Sequence, residues 1–312
     1  MDKKESVIIT GGQGFIGSWV AKLLLDDQKY NVVVVDVKPD LHILKQIMSD
    51  SDIKLLEFVY VDIADTKSVS ELVLRVRPSF IVHLAGLQIP TCKVNPILGA
   101  SVNVIGTLNV FEAVRQLQAT KQQSCCCPVI YASSAAVSGP SEDYDSSAPV
   151  SDDAHHAPVT HYGVFKQANE GAARVYWLDH KIPSVALRPF TVYGVGREVG
   201  MTSAPTKAIK AMVLGQDYVI PFSGDICINY VEDIARLFIN LGQSPNVQGA
   251  YTCNIKGDTL DVLNYRIPLT LVKKHFDIIY PPIAKLPDVL STIITFKGTT
   301  QIGIYMGGSH QL

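Results

Sequence analysis

Tyr162 and Lys166 stand four residues apart in the run His161-Tyr162-Gly163-Val164-Phe165-Lys166, and Ser134 lies 28 positions upstream. A phenol, an ammonium one helical turn away and a hydroxyl can together move a proton on and off an alcohol oxygen. An unperturbed phenol titrates near ~10, too high for a good base near neutrality. A lysine at i+4 on the same helical face favours the phenolate and lowers that value. Ser134 can hydrogen-bond the reacting oxygen, and Asn103, in the run 103–107, can hold a water that connects the lysine to solvent. Tyr-x-x-x-Lys alone is common and mostly marks a solvated helix face. Its place after a predicted strand carrying Ser133-Ser134 is what points to catalysis.

Oxidation of an alcohol couples that proton transfer to loss of a hydride, and the other end of the chain supplies a cradle for a hydride acceptor. Val7-Ile8-Ile9-Thr10 reads as a strand, and Gly11-Gly12-Gln13-Gly14-Phe15-Ile16-Gly17 follows at once. Gly11 permits the tight turn, Gly14 lets a pyrophosphate approach the backbone, and Gly17 lets the next helix pack against the strand. A helix starting near Phe15 aims its free N–H groups and partial positive charge at that phosphate. The second strand ends in Asp36, 22 residues past Gly14. A carboxylate there accepts from a ribose 2′-hydroxyl and repels a 2′-phosphate, which favours NAD over NADP, although Lys38 stands close by. Asp62 can contact the adenine amino group or cap the turn into the next helix.

These residues need elements to hold them. Short, continuously apolar runs at 7–10, 32–36, 56–61, 80–84, 129–132 and 184–187 read as parallel strands covered on both faces. Helical patterns fall between them at 14–27, 67–75, 102–118 and 162–180. The alternation predicts an α/β fold, a Rossmann-type doubly wound parallel sheet over residues 1–188. Residues 189–312 are expected to form a small interleaved substrate-binding region. Within it 205–214 and 232–241 read as helices, 229–231 as a short strand, and 226–242 as a return to the main domain. The run 138–158, rich in Ser, Asp, Pro and His, reads as a surface loop. His155-His156 with Asp152 and Asp153 lacks the spacing of a metal site, so no metal is expected.

The chain has 312 residues, 47% hydrophobic and 18% charged, ample for a large core. With net charge −2 and no Lys/Arg run, nucleic acid is not an expected partner. No apolar leader precedes the first strand and no spanning run is evident, so no membrane partner is expected. Three of the six cysteines are adjacent, Cys125 to Cys127, which reads as free thiols in a reducing cytoplasm. The end, Ser309-His310-Gln311-Leu312, departs from the Ser-Lys-Leu peroxisomal address.

The order and spacing of 10–17, Asp62-Ile63, His83-Leu84-Ala85-Gly86, 103–107, 131–137, 162–166, 187–194 and 230–235 resemble an extended short-chain dehydrogenase/reductase of the NAD-dependent epimerase/dehydratase kind. The resemblance covers residues 7 to about 240 and implies a seven-stranded core and homodimers packed through the helices near 102–118 and 162–180. It assigns Ser134, Tyr162 and Lys166 to catalysis, with Asn103 in support. It assigns Gly11, Gly14, Phe15, Ile16, Gly17, Asp36, Asp62, Ile63 and Lys166 to NAD. Ala85 and Gly86 would lie against the cofactor, and Phe190 to Val192 near the nicotinamide.

Three departures narrow the chemistry. Dehydratases of this family place an Asp-Glu pair where Ala135 and Ala136 stand here, and alanines transfer no protons. Nucleotide-sugar members carry an arginine four residues before the tyrosine matching Tyr230, and here that position is Ile226. The family's Val-Tyr-Gly is Val137-Ser138-Gly139. Lys207 and Lys210 are candidates to replace the missing arginine. The expected activity is NAD-dependent epimerisation of a sugar or nucleotide sugar. A dehydrogenase acting on a sugar, uronate or related secondary alcohol uses the same residues, and a dinucleotide-sensing regulator would tend to lose Tyr162 or Lys166.

Overall fold

The computed structural model describes residues 4–120, 127–145 and 149–262. Cys125, Cys126 and the C-terminal 50 residues, with their terminal Ser309-His310-Gln311-Leu312, lie outside the described residues.

Seven parallel strands form the main sheet: β1 (Glu5–Thr10), β2 (Tyr30–Asp36), β3 (Glu57–Tyr60), β4 (Phe80–His83), β5 (Val129–Ala132), β6 (Ser184–Arg188) and β9 (Ala250–Asn254). Their order is β3-β2-β1-β4-β5-β6-β9. Every pairing is parallel. The chain first steps outward from β1 to β3, then restarts at β4 on the other side. That reversal leaves a crevice at the carboxyl ends of β1 and β4, where ligands of such sheets bind. A second sheet, ordered β10-β8-β7, is built from β7 (Thr191–Tyr193), β8 (Asp225–Tyr230) and β10 (Asp258–Asp261).

The continuous apolar runs have a direct cause. Successive strand residues face opposite sides, and both sides are covered. Val7, Ile9, Val32 and Val34 enter one core with α1 (Phe15–Asp26), α6 (Val231–Gln243) and residues of the second sheet. Ile8, Val33 and Val35 enter the other, with α2 (Thr66–Val76), α3 (Gly106–Ala119) and α4 (His161–His180).

Local chemistry fixes the helix ends. The Asp65 carboxylate caps α2, accepting from Lys67 N (3.0 Å) and Ser68 N (3.3 Å). Thr160 Oγ1 caps α4 by accepting from Gly163 N at 3.0 Å. Five of the six expected helices appear within two residues of their sequence limits, α5 (Ala204–Val213) among them. The helix expected at 102–118 begins as a π-helical turn at Ser101–Ile105 and becomes α3 at Gly106.

Three placements differ from expectation. The return segment 226–242 splits at Tyr230: β8 belongs to the second sheet, and only α6 packs back on the main one. β9 enlarges the main sheet, although it lies within the region expected to be the small one. β7, β9 and β10 carry no alternation long enough to read. Finally, residues 96–119 run as one continuous helical stretch through the π-helical turn. This stretch is long and apolar enough for a membrane span, against the sequence expectation. Half of it is buried inside the protein, as in a core helix.

One buried polar chain ties β1, β4 and the 96–119 stretch together. Thr107 Oγ1 donates to Asn103 O (2.7 Å). It therefore accepts from His83 Nε2 (3.0 Å), which places the ring proton on that nitrogen. Nδ1 is then the acceptor for Thr10 Oγ1 (2.7 Å), which in turn accepts from Leu84 N and Ala85 N. Burial, with the Lys166 ammonium adding to it, pulls the His83 ring down to about 3 from its ordinary 6.5. Between those values the unfolded chain binds a proton that the folded chain refuses, so stability falls as pH falls through the window. His83→Gln abolishes this titration. The stability gap between wild type and variant should therefore be widest near neutrality and shrink toward the acid end. Urea unfolding across the window measures it, and a gap constant with pH would sink the assignment.

Candidate active site

The crevice opens into a cavity of about 1150 Å³. At one end lies the glycine loop. Gly11 sits at φ +64°, and a Cβ there would come within 2.7 Å of Ala85 N. The turn closes through Gly14 N to Gly11 O (3.0 Å), and Ser18 N to Gly14 O (2.9 Å) is the first bond of α1. No side chain caps that helix. The N–H groups of Phe15, Ile16 and Gly17 therefore begin the helix without intrahelical partners. A Cβ on Gly17 would press within 2.7 Å of Gly12 Cα. Gly11, Gly14, Phe15, Ile16 and Gly17 all line the cavity. Backbone donors without intervening Cβ atoms suit a dinucleotide's pyrophosphate.

Asp36 ends β2 beside this loop. Its carboxylate accepts from Gln13 N (3.2 Å) and Val37 N (2.9 Å). Burial pushes its pKa up, while those two amides hold it down. Gln13, which sequence reasoning passed over, staples the loop to residues 38–40. Its Nε2 donates to Lys38 O (2.9 Å), and its Oε1 accepts from Asp40 N (2.8 Å).

At the other end stand the three reacting candidates. Gly163 allows α4 to start against the turn that follows β5, since a Cβ there would collide with Ala136 O. Ser134 begins that turn, its Oγ accepting from Ala136 N (3.2 Å). Tyr162, Lys166 and Ser134 line the same cavity, as do Ala135 and Ala136. Lys166 is buried; its Nζ donates to Ala132 O (2.5 Å) and lies 5.5 Å from the centroid of the Tyr162 ring. Desolvation pulls this ammonium down to about 8, with Cys92 and Glu170 pushing the other way.

The remaining expected residues fall into two groups. Gly86, Phe190 and Val192 line the cavity. Asn103 is buried and its side chain is committed elsewhere. Its Oδ1 accepts from Leu87 N (2.6 Å), and its Nδ2 donates to Leu87 O (2.9 Å) and Cys92 Sγ (3.4 Å). Asn103 thus props the backbone after β4. The Asp62 side chain accepts from Ala64 N (2.9 Å), holding the turn ahead of α2. Ile63 is buried in the core, and Ala85 presents its backbone to Gly11. Lys207 and Lys210 are exposed on α5 and do not line the cavity; Lys210 lies 3.9 Å from Glu198.

Sequence reasoning also missed the group that fixes α4. Glu170 lies four residues past Lys166 on the same helical face. Its carboxylate takes Arg188 Nε and a terminal guanidinium nitrogen at 2.8 Å each, and Ser133 Oγ at 2.5 Å. Arg188 also donates to Asp152 O (2.9 Å) and Asn254 Oδ1 (3.3 Å), and contacts His156 Nε2 at 2.9 Å. Burial and the adjacent Arg188 charge hold His156 below its usual range. Within the run expected as a surface loop, the described stretches 138–145 and 149–158 form a cavity wall through Ser138, Tyr144, Val150 and Asp152, pinned at Asp152 and His156. No metal-binding cluster occurs among the described residues.

Comparison with known proteins agrees with this architecture. The chain is 35% identical over 145 residues to CDP-paratose 2-epimerase of Salmonella typhi, covering 44% of this chain and 39% of that protein. Two solved structures share the fold. UDP-glucose 4-epimerase of Thermus thermophilus, in complex with NAD, has a TM-score of 0.67 at 23% identity, covering 82% of this chain and 79% of that one. L-threonine dehydrogenase of Clostridium difficile has a TM-score of 0.72 at 18% identity, covering 97% and 86%. Residues 7–255 match a single family description over most of the chain's length. With the parallel sheet and glycine cradle, this places the chain in the NAD dependent epimerase/dehydratase family.

Proposed function

We propose that the chain is an NAD-dependent epimerase acting on a sugar or nucleotide sugar. The observation that carries this reading is one cavity lined both by the glycine cradle and by Ser134, Tyr162 and Lys166. Its volume, about 1150 Å³, lies at the upper end of the range of ligand pockets, ~300–1,000 Å³. NAD, when bound, accepts a hydride from carbon and returns it. Tyr162 takes the hydroxyl proton as that hydride leaves, and Lys166 favours the phenolate that does so. Ser134 holds the oxygen of the resulting ketone. Rotation of the ketone before the hydride returns inverts the carbon, and Tyr162 gives its proton back. Ala135 and Ala136 on the cavity wall supply no acid or base for water elimination.

A second reading, dehydrogenation of a sugar, uronate or related secondary alcohol, is favoured by Ile226. This buried apolar residue lines the cavity where nucleotide-sugar relatives would carry an arginine. Incubation with NAD and a panel of free sugars, uronates and nucleotide sugars separates the two. Epimer formation by NMR without free NADH supports the first reading, and accumulating NADH supports the second. Tyr162→Phe should cut turnover by about 10²-fold or more with NAD affinity nearly unchanged. Turnover surviving within a few-fold would remove Tyr162 from the mechanism.

Asp36 sets the cofactor preference in this reading. Asp36→Ala should narrow the preference for NAD over NADP, because the carboxylate that repels a 2′-phosphate is gone. Fluorescence titration with both cofactors tests it, and wild type binding NADP as tightly as NAD would refute the role.

The same reading includes a cytoplasmic homodimer. Cys92, Cys127, Cys227 and Cys253 are free thiols, as a reducing compartment permits. Along α4, Val164, Ala168, Gly171, Val175 and Leu178 are exposed. Their spacing of four and three residues makes one outward stripe, suited to a helix of a second copy. Sedimentation velocity should show a dimer that Val175→Glu dissociates; a monomeric wild type at micromolar concentration would count against it.

A further inference from the structure

We propose that Arg197 grips a diphosphate at the start of α1. The cofactor's own diphosphate and that of a nucleotide sugar offer the same chemistry, so both are sources to be distinguished. The inference rests on reading the cavity as the dinucleotide site.

The loop carrying Arg197 is anchored to α1. Trp19 Nε1 donates to Val195 O at 3.0 Å. Gly196, at φ +94°, lies so close that a Cβ would come within 2.6 Å of Ile43 Cγ2 and 3.4 Å of Phe15 Cδ2. The guanidinium carbon of Arg197 then sits 5.6 Å from the centroid of the Phe15 ring. Phe15 is the first residue of α1, so this places a fixed cation beside the N–H groups of the first turn. Arg197 lines the cavity together with Gly14, Phe15 and Gly17.

The neighbouring Glu198 carboxylate is turned toward other groups: His42 (3.1 Å), Gln46 (3.3 Å) and Lys210 (3.9 Å) hold it. Arg197 donates to Thr202 Oγ1 at 2.8 Å, which orients the fork. A guanidinium carries five N–H donors, and its planar fork suits phosphate oxygens. At 226, by contrast, the cavity wall offers only an aliphatic side chain. Lys166, Lys256 and Arg197 line the cavity, and of these it is Arg197, on the loop after β7, whose guanidinium stands beside Phe15 at the start of α1.

Isothermal titration of wild type, Arg197→Gln and Arg197→Lys tests this in two arms. The first arm uses ADP-ribose. The second uses UDP added to NAD-saturated protein. Loss of one charge-assisted contact should weaken binding roughly ten- to a hundredfold in Arg197→Gln, with Arg197→Lys losing less. A loss in the first arm assigns the grip to the cofactor, and a loss confined to the second assigns it to a substrate diphosphate. Arg197→Gln within twofold of wild type in both arms overturns the proposal. So does Arg197→Lys falling as far as Arg197→Gln, which would show that packing on Phe15 and not charge is at work. Wild type binding neither NAD nor ADP-ribose would instead remove the dinucleotide reading, and the proposal with it.

Discussion

The site depends on one buried ion pair. Glu170 and Arg188 meet through two parallel hydrogen bonds, 8% and 2% exposed respectively. Burying two charges is costly, and it is tolerated only when their remaining donors and acceptors are satisfied. Here Ser133, Asp152, Asn254 and His156 supply those partners. The pair thereby joins α4, the end of β5, the end of β6, β9 and the 150–156 wall at one point. Removing either partner alone would strand a charge, a loss of about 3–5 kcal/mol. Because Lys166 is one turn before Glu170, and Ser134 one residue after Ser133, the ion pair holds the elements that carry these two candidate residues.

Electrostatics sorts the buried polar groups by task. His83 has its ring proton assigned by the hydrogen bonds on both sides, and it stays neutral over the physiological range. It works as a rigid strut. Lys166, brought down to about 8, stays mostly charged near neutrality while being poorly hydrated. A poorly hydrated cation acts more strongly on a nearby phenol than one in water. Glu170 helps to keep it charged. The acid that anchors the helix thus also supports the charge on Lys166.

The sheet strands through β6 and the glycine cradle were legible because their signals are local. Continuous Val and Ile runs, a glycine every third residue and an i,i+4 pair are read within a few positions. What escaped detection was set by distant partners. β9 pairs with β6 only after the chain has left and returned, and its five residues have no pattern of their own. Glu170 looks like an ordinary helical acid until Arg188 is placed against it, although its i+4 spacing from Lys166 was a usable hint. Asn103 was read as a proton-relay residue because its position suggested chemistry. Its side chain also has a structural task, bonding the Leu87 backbone and Cys92, that no local pattern announces. Lys207 and Lys210 were plausible by helix position alone, but α5 turns them outward, and the cations that line the cavity are Lys166, Arg197 and Lys256.

The two sheets are threaded through each other. The chain leaves the main sheet after β6, builds β7 and β8, comes back through α6 and β9, then leaves again for β10. With three crossings among the described residues, no single cut there separates one sheet from the other. Such a chain should melt in one cooperative transition, with the smaller sheet lacking a separate melting event. Swapping that sheet for a relative's, as one would exchange a modular cap, would also carry away β9, the edge strand whose Asn254 steadies Arg188. Change in what the cavity accepts is therefore more readily reached by point substitution along its walls than by exchange of parts.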